Sequence, residues 1–220
     1  PDSPEFQLVR ARIRALQERP ADAVKDLQAL VLDKKYPSEA AAHYGLAVAL
    51  GRANDWAGAE REIGAAKKLK ANAPMVDRLL AEARLGQGDI GGGLALYRNL
   101  MARYPLNQSL IYGYGAALVT HRRFAESLAF AENQLLNAPQ DVRLHKLKAE
   151  SYAGLGRRAP QHRALAEVFA LQGQTGAAVE QLNLAQRAGD GDFYEMSAID
   201  ARLRELKQRR TEELRQARAN

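Results

Sequence analysis

The chain of 220 residues contains no cysteine, which excludes disulfide bonds and thiolate metal ligands. Aromatic residues make up only 6% of the sequence, whereas alanine is abundant, and this composition is typical of closely packed helices. No run of about 18 apolar residues occurs, so we expect no membrane-spanning helix. The first six residues lack an initiator methionine, and they also lack the basic start and apolar stretch of a signal peptide. We therefore expect the chain to be a fragment of a longer protein.

Motifs of catalysis and metal binding are also missing from the sequence. No Gly-x-Ser-x-Gly motif is present, and the glycine-rich segment 86–93 lacks the Lys-Ser/Thr pair of a phosphate-binding loop. No two of the four histidines lie three to five residues apart, as a helical zinc-binding pair requires. The histidines are His43, His121, His145 and His162. These absences predict that the chain itself is not an enzyme and holds no metal ion or other cofactor.

A small residue recurs every 34 positions along the chain. The series consists of Ala47, Ala81, Gly115 and Ala149. A second series, mostly of large residues, follows three positions later, at Leu50, Arg84, Leu118 and Tyr152. A fixed step of 34 residues is typical of tetratricopeptide repeats, in which helix pairs stack on one another because no single pair can bury its apolar face. The sequence therefore predicts an all-α fold, a right-handed superhelix (α-solenoid) of five to six helix pairs followed by a capping helix.

Helix-breaking residues and the apolar periodicity divide this fold into segments. We predict a repeat array over residues 1–192 and, within the same domain, a C-terminal capping helix over residues 193–220. The first helix carries an amphipathic pattern of Phe6, Val9, Ile13 and Leu16. Near the end the register changes, because Ala166 lies half a repeat after Ala149. We therefore expect the helix at 160–171 to belong to two successive pairs.

The net charge of +6 is concentrated towards the C-terminus. Residues 200–220 hold seven basic and four acidic side chains. Their net charge of 7 − 4 = +3 is half of the charge of the whole chain. Nucleic-acid binding would favour a basic stripe without interleaved acids, or aromatic residues for stacking. The mixed signs instead favour a solvated terminal helix, and we expect no nucleic-acid partner.

In this architecture the first helix of each pair lines the concave face of the array. We place groove positions three residues before and one residue after each small residue of the series. The predicted binding residues are Tyr44, Arg78, Glu82, Tyr112, Lys146, Glu150, Arg163 and Glu167. Six of them form opposite-charge pairs at i,i+4, which are either surface pairs worth about 0.2–0.5 kcal/mol each or parts of a peptide-binding groove of alternating charge. The partner would be a protein or peptide. The groove lacks the dense Lys/Arg and Asn set that clamps a terminal carboxylate.

The two ends of the chain resemble a particular family. The relevant stretches are Ser3–Arg12, His162–Glu167, Leu171–Gly173, Ala177–Leu182, Ala185–Ala188, Asp192–Tyr194 and Ala201–Leu203. They are similar to the C-terminal repeat region of periplasmic zinc metalloproteases, the BepA-like β-barrel assembly-enhancing proteases. The resemblance implies a periplasmic location and partners among outer-membrane assembly factors or misfolded barrel proteins. It also implies a zinc-binding HExxH protease domain before the repeats, and this chain contains no HExxH.

Two other hypotheses remain open at this point. The chain is alternatively a stand-alone tetratricopeptide adaptor in another pathway, for which a cytoplasmic location is equally compatible. A third hypothesis is an oligomeric scaffold in which the helix at 193–218 docks on a second chain. The identity of the partner would separate the first two hypotheses, and the oligomeric state would test the third.

Overall fold

The computed structural model describes residues 3–219, and over this range it contains twelve α-helices and no β-strand. The helices are α1 Pro4–Gln17, α2 Pro20–Leu32, α3 Glu39–Arg52, α4 Trp56–Lys68, α5 Pro74–Gly86, α6 Ile90–Arg103, α7 Gln108–Thr120, α8 Phe124–Asn137, α9 Val142–Gly154, α10 Arg158–Leu171, α11 Thr175–Arg187 and α12 Phe193–Ala219. The predicted all-α architecture is confirmed.

The turn inside four successive helix pairs, from α3–α4 to α9–α10, repeats with the same step as the sequence. Asn54, Gly88, Arg122 and Gly156 all have a positive φ, between 57° and 89°, and they lie 34 residues apart. Glycine and asparagine tolerate this left-handed conformation, whereas an arginine there adopts it at a cost. After the first two of these turns, the side chains of Asp55 and Asp89 cap the next helix by accepting a hydrogen bond from the backbone N–H three residues on.

The chain divides into two compact units, Pro1–Ile111 and Tyr112–Asn220. In the first unit, α3 packs against α1, α2 and α4, and α5 packs against α4 and α6. The small residues Ala47 and Ala81 are completely buried, as the repeat pattern requires. Trp56 lies over Gly86, where an added Cβ would collide with the indole ring. This glycine is therefore needed for the close approach of α5 to the start of α4.

In the second unit, α9 packs against α8, and α10 packs against both α9 and α11. This double packing agrees with the expectation that the helix at 160–171 serves two successive pairs. Helix α12 closes the core by packing on α11 and α10, and it buries Ile199, Leu203 and Leu206. Phe124 repeats the role of Trp56, because its ring lies where a Cβ on Gly154 would be.

The first helix buries a different face from the one that its periodicity suggests. Phe6, Val9, Ile13 and Leu16, here called the apolar stripe, are 39–52% exposed. Helix α1 instead buries Leu8 and Ala15. An added Cβ on Gly45 of α3 would lie only 3.2 Å from the Cβ of Ala11. Small residues thus allow α1 to approach α3 closely, and the four large side chains remain on the outer face.

Over residues 3–219, we find no helix with the length and apolar character needed to cross a membrane.

Candidate functional site

Two of the predicted binding residues form an ion pair on α5. A nitrogen of the Arg78 guanidinium lies 2.8 Å from Oε1 of Glu82, and both side chains remain about a quarter exposed. The same guanidinium donates a hydrogen bond to the hydroxyl of Ser109 at the start of α7. The predicted i,i+4 pair is therefore present, and it is tied to the first helix of the next repeat.

A buried tyrosine, Tyr97, contacts this ion pair in the first unit. Tyr97 is almost fully buried and donates a hydrogen bond of 3.4 Å to Oε1 of Glu82. Burial, together with the negative charge of Glu82, raises the pKa of Tyr97 to about 12. Glu82 thus accepts hydrogen bonds from a protonated phenol and from an arginine, and its carboxylate is held in place.

Tyr44 does not line a surface, contrary to the sequence-based expectation. Its side chain has no exposed area, and its hydroxyl accepts a hydrogen bond of 3.3 Å from Arg12 on α1. The reason is that α1 packs directly on α3 and covers the position where a ligand would meet the ring. Burial also raises the pKa of Tyr44, and the Arg12 hydrogen bond only partly opposes this shift.

In the second unit, Tyr112 is fixed by the beginning of α9. Its hydroxyl donates a hydrogen bond of 2.6 Å to Oδ2 of Asp141, and this bond raises the pKa of the phenol. The other oxygen of Asp141 caps α9 by accepting from the backbone N–H of Arg143 and Leu144. The Arg143 guanidinium lies 4.8 Å from the centre of the Tyr112 ring, within the range of a cation–π contact.

Lys146 and Glu150 of α9 do not form the predicted ion pair. Both side chains are exposed, and neither makes an ion pair or hydrogen bond with any side chain in the part of the chain that the structure describes. An exposed i,i+4 pair is worth only about 0.3–0.5 kcal/mol, so water competes effectively for both charges. Together with Tyr112 and Arg143, they form what we call the α7–α9 surface.

Arg163 and Glu167 pair with α12 rather than with each other. The Arg163 guanidinium lies 3.1 Å from Oε1 of Glu195. Glu167 accepts two hydrogen bonds from the guanidinium of Arg202, of 2.9 and 2.7 Å. Such a bidentate contact is stronger than an exposed i,i+4 pair, which explains the exchange of partners. Helix α12 therefore pairs with the charged groups that α10 would supply to the predicted groove.

A cavity of about 230 Å³ lies where α9, α10 and the start of α12 meet. It is lined by His145, Lys148, Tyr152, Pro160, Arg163, Ala164, Glu167 and Glu195. Lys148 makes an ion pair of 3.0 Å with Glu132, and burial together with the Glu132 charge raises the pKa of Tyr152 to about 12. The cavity thus has charged groups of both signs, most of them already paired within the protein.

The sequence-based prediction missed Glu195 and Arg202, although a signal for them exists. Arg163 and Glu195 are 32 residues apart, and Glu167 and Arg202 are 35 apart. Arg12 and Tyr44, also 32 apart, show the same spacing in the first unit. Contacts between the first helices of neighbouring repeats therefore fall close to one repeat length. A search for opposite charges at this spacing would have found both residues.

Asp190 fixes the start of α10 from the loop that follows α11. Its carboxylate accepts hydrogen bonds from the backbone N–H groups of Arg158, at 2.5 Å, and Ala159, at 2.8 Å. Desolvation alone would raise the pKa of Asp190, but the hydrogen bonds from Ala159 and Arg158 outweigh it, and the pKa is lowered. This cap holds in place the helix that carries Arg163 and Glu167.

Replacing Asp190 by Ala is expected to lower the free energy of unfolding by about 1 kcal/mol, as for other helix caps. The pKa of Asp190 is lower in the folded chain than in the unfolded chain. The cap therefore stabilises the fold at every pH above the ordinary carboxyl pKa of about 3.9, and this stabilisation is lost as the pH falls through the folded-state pKa. Urea unfolding at neutral and acidic pH measures the difference. Replacing the exposed Asp26 of α2 by Ala serves as a control, and a loss that stays constant into strong acid would contradict the capping role.

Three of the four histidines are engaged within the protein. His43 Nδ1 lies 2.6 Å from Oε2 of Glu62, and His162 Nδ1 lies 2.9 Å from Oε1 of Gln181. His145 Nε2 lies 2.8 Å from the carbonyl oxygen of Pro139. Over the described residues 3–219, no group of three or more His, Asp or Glu side chains is arranged to hold a metal ion.

Comparison with known proteins places this geometry in a family. A sequence model described as tetratricopeptide repeat matches residues 8–74 and 78–141, which is more than half of the chain. A comparison with curated proteins finds no significant match. The fold is similar to that of MamA from Desulfovibrio magneticus RS-1, in a structure that covers MamA from residue 41 to its end. The identity is 17% and the TM-score 0.52, and the match covers 77% of this chain and 95% of that one.

A second similar structure is that of YrrB, a tetratricopeptide repeat protein described as having an unusual peptide-binding site. Here the identity is 14% and the TM-score 0.52, and the match covers 83% of this chain and 93% of that one. Proteins of this kind are interaction modules that bind protein or peptide partners, and the fold is typically non-catalytic. The chain therefore belongs to the tetratricopeptide repeat family.

Proposed function

We propose that the chain is the partner-binding module of a BepA-like periplasmic zinc metalloprotease that acts in outer-membrane protein assembly and quality control. Two separate arguments support this proposal. The binding role rests on the α7–α9 surface, where Lys146 and Glu150 are exposed and unpaired beside a fixed tyrosine ring. The link to a protease rests on the resemblance of both chain ends to that family.

The α7–α9 surface has the chemistry to bind an extended polypeptide. The ring of Tyr112 is held between Asp141 and Arg143, so little conformational entropy is lost when a partner packs against it. Lys146 and Glu150 present charges of opposite sign one helical turn apart, and each can pair with a side chain of the partner. An unfolded segment of a barrel protein, with alternating polar and apolar residues, offers such groups along its length.

Reversing one charge on this surface tests the binding role. Lys146→Glu is expected to weaken the binding of an unfolded barrel-protein fragment about threefold to tenfold, because an exposed ion pair is worth up to roughly 1 kcal/mol. Fluorescence anisotropy with a labelled fragment gives the Kd. The same change at the exposed Lys25 on α2 is the matched control. Equal weakening by both variants would show that net charge, and not this surface, governs binding.

The apolar stripe of α1 supports the second part of the proposal. Four large apolar side chains exposed on one helix are typical of a surface that another protein or domain covers. A preceding protease domain would be connected through this same helix, and zinc would be bound there. No protein ligand for zinc is proposed in the present chain.

Reading the encoding gene upstream of Pro1 decides between the two leading hypotheses. A coding region for a signal peptide and an HExxH helix would support the metalloprotease and a periplasmic location. A start codon directly before Pro1, or an unrelated domain, would leave the stand-alone adaptor. The adaptor is supported by the family itself, because the tetratricopeptide repeat model matches residues 8–74 and 78–141, and such repeats serve as binding surfaces.

A further inference from the structure

We propose that the outer end of α12 is a docking surface for an anionic phospholipid bilayer. Four cations lie along one side of this helix, namely Arg204, Lys207, Arg215 and Arg218, here called the basic stripe. At about 100° per residue they fall within an arc of about 80°, and they extend over about 21 Å of helix. This surface is separate from the proposed protein-binding site.

The cations of the basic stripe are not neutralised by the protein. All four side chains are exposed, and none of them makes an ion pair or side-chain hydrogen bond within the described residues 3–219. Two other arginines of α12 are committed, because Arg202 binds Glu167 and Glu205, and Arg209 binds Glu213. Arg210 lies outside the stripe, near Gly176. Four of the five cations of residues 200–220 that form no ion pair in the described part of the chain therefore share one face.

Three acidic side chains in the outer part of this helix lie away from the basic stripe. Asp200 lies on the same side as the stripe, one turn before Arg204, and it accepts a hydrogen bond of 2.6 Å from the side chain of Gln186 on α11. Glu205 and Glu213 are bound by arginines on the opposite side, and Glu212 accepts a hydrogen bond from Gln208. Relative to the centre of the stripe, these carboxylates are rotated by about 100° or more around the helix axis. Beyond Asp200, the interleaved signs of the sequence thus become two separate faces once the segment is helical.

The shape of the stripe favours a flat anionic surface over nucleic acid. A helix in the major groove of a duplex is surrounded by phosphates on both sides, and the acidic residues of α12 would approach them. The stripe also has no aromatic residue for stacking on single-stranded bases. A bilayer meets only the basic face of the outer part of the helix, so Glu205, Glu212 and Glu213 remain in water.

The stripe is also unlike the centre of a protein interface. Binding energy between proteins concentrates on aromatic and arginine side chains that fill desolvated pockets, whereas this surface is a convex rod without a pocket or an aromatic residue. In a fluid bilayer, the anionic headgroups can move to meet each cation. Leu214, which borders the stripe and is half exposed, can enter the headgroup region. A cluster of four to eight Lys or Arg residues is typical of helices that bind anionic lipids.

Vesicle flotation tests this proposal with the complete chain. Vesicles of phosphatidylcholine with about one third phosphatidylglycerol are expected to bind the protein at low salt, and vesicles of phosphatidylcholine alone are not. Replacing all four stripe cations by Gln is expected to abolish binding, since each lost cation lowers the affinity about fivefold. Raising the salt concentration should weaken binding by the wild type, because salt screens exposed charges.

Two further variants make the test specific. Replacing Arg10, Lys25, Arg61 and Lys68 by Gln removes the same net charge from exposed sites elsewhere, and this variant should still bind. Changing the three stripe arginines to Lys keeps the charge and should retain most of the affinity. Circular dichroism checks that every variant is folded.

Several outcomes would overturn the proposal. Absence of wild-type binding to the anionic vesicles would do so. Equal loss by the stripe variant and the control variant would assign binding to overall charge. Tighter binding to duplex DNA or to polyglutamate than to the vesicles would identify another class of partner.

Discussion

Replacing Tyr44 by Ala is expected to lower the free energy of unfolding by about 3–5 kcal/mol, as for other fully buried aromatic residues. The ring has no exposed area and lies in the core that α3 forms with its neighbours. Truncation removes its packing contacts and leaves a cavity that the surrounding helices fill only in part. It also leaves the Arg12 guanidinium without its hydroxyl partner.

Urea denaturation of the purified chain measures this effect, and Tyr44→Phe is the matched control. The Phe variant keeps the ring and loses only the hydrogen bond to Arg12, so we expect a loss of about 0.5–1.5 kcal/mol. A small effect of Tyr44→Ala on stability, combined with weaker partner binding, would instead support the surface position that the sequence suggested.

The repeat architecture could be predicted from the sequence because its causes are local and periodic. Small residues such as Ala47 and Ala81 are needed wherever two helices approach closely, and turn residues such as Asn54 and Gly88 recur at the same step. Each of these requirements appears at a fixed position in the repeats from α3 to α10. The helices of these repeats therefore follow from a pattern that the sequence shows directly.

The surface was harder to predict because it depends on what covers each helix. Tyr44 and Tyr112 occupy equivalent positions, but α1 buries the first, whereas the second is fixed on the surface by Asp141. Arg163 and Glu167 have the spacing of an ion pair, yet α12 supplies a better partner for each. A regular pattern defines equivalent positions, but the helices at the ends of the array give these positions different burial and different ion-pair partners.

The charges of the terminal helix are also arranged differently in the structure from what their order in the sequence suggests. Residues 200–220 have mixed signs when read in order, which favoured a simple solvated helix. In the structure, intrahelical and interhelical pairs remove the acids and some of the arginines from that mixture, and four free cations remain on one side. Charge segregation of this kind becomes visible only when the helical rotation and the packing partners are both known.

Helix α1 provides the second large expected effect, because it carries two leucines in opposite environments. Leu8 is 4% exposed and packs in the core with α3, whereas Leu16 belongs to the apolar stripe and is 48% exposed. Leu8→Ala is therefore expected to lower the free energy of unfolding by about 2–5 kcal/mol, the usual range for a buried leucine. The identical change at Leu16 should cost about 0.5 kcal/mol or less, as for most surface positions.

Denaturant titrations of the two variants under identical conditions measure this difference, and each variant controls for the change in helix propensity in the other. Similar losses at both sites would show that the apolar stripe is packed in solution, as the 3.6-residue periodicity alone suggested. In a longer protein that contains a protease domain, the expectation changes for Leu16 only. There, Leu16→Ala should weaken the contact between the domains while the repeats remain folded, because the stripe is the face that the repeats themselves leave uncovered.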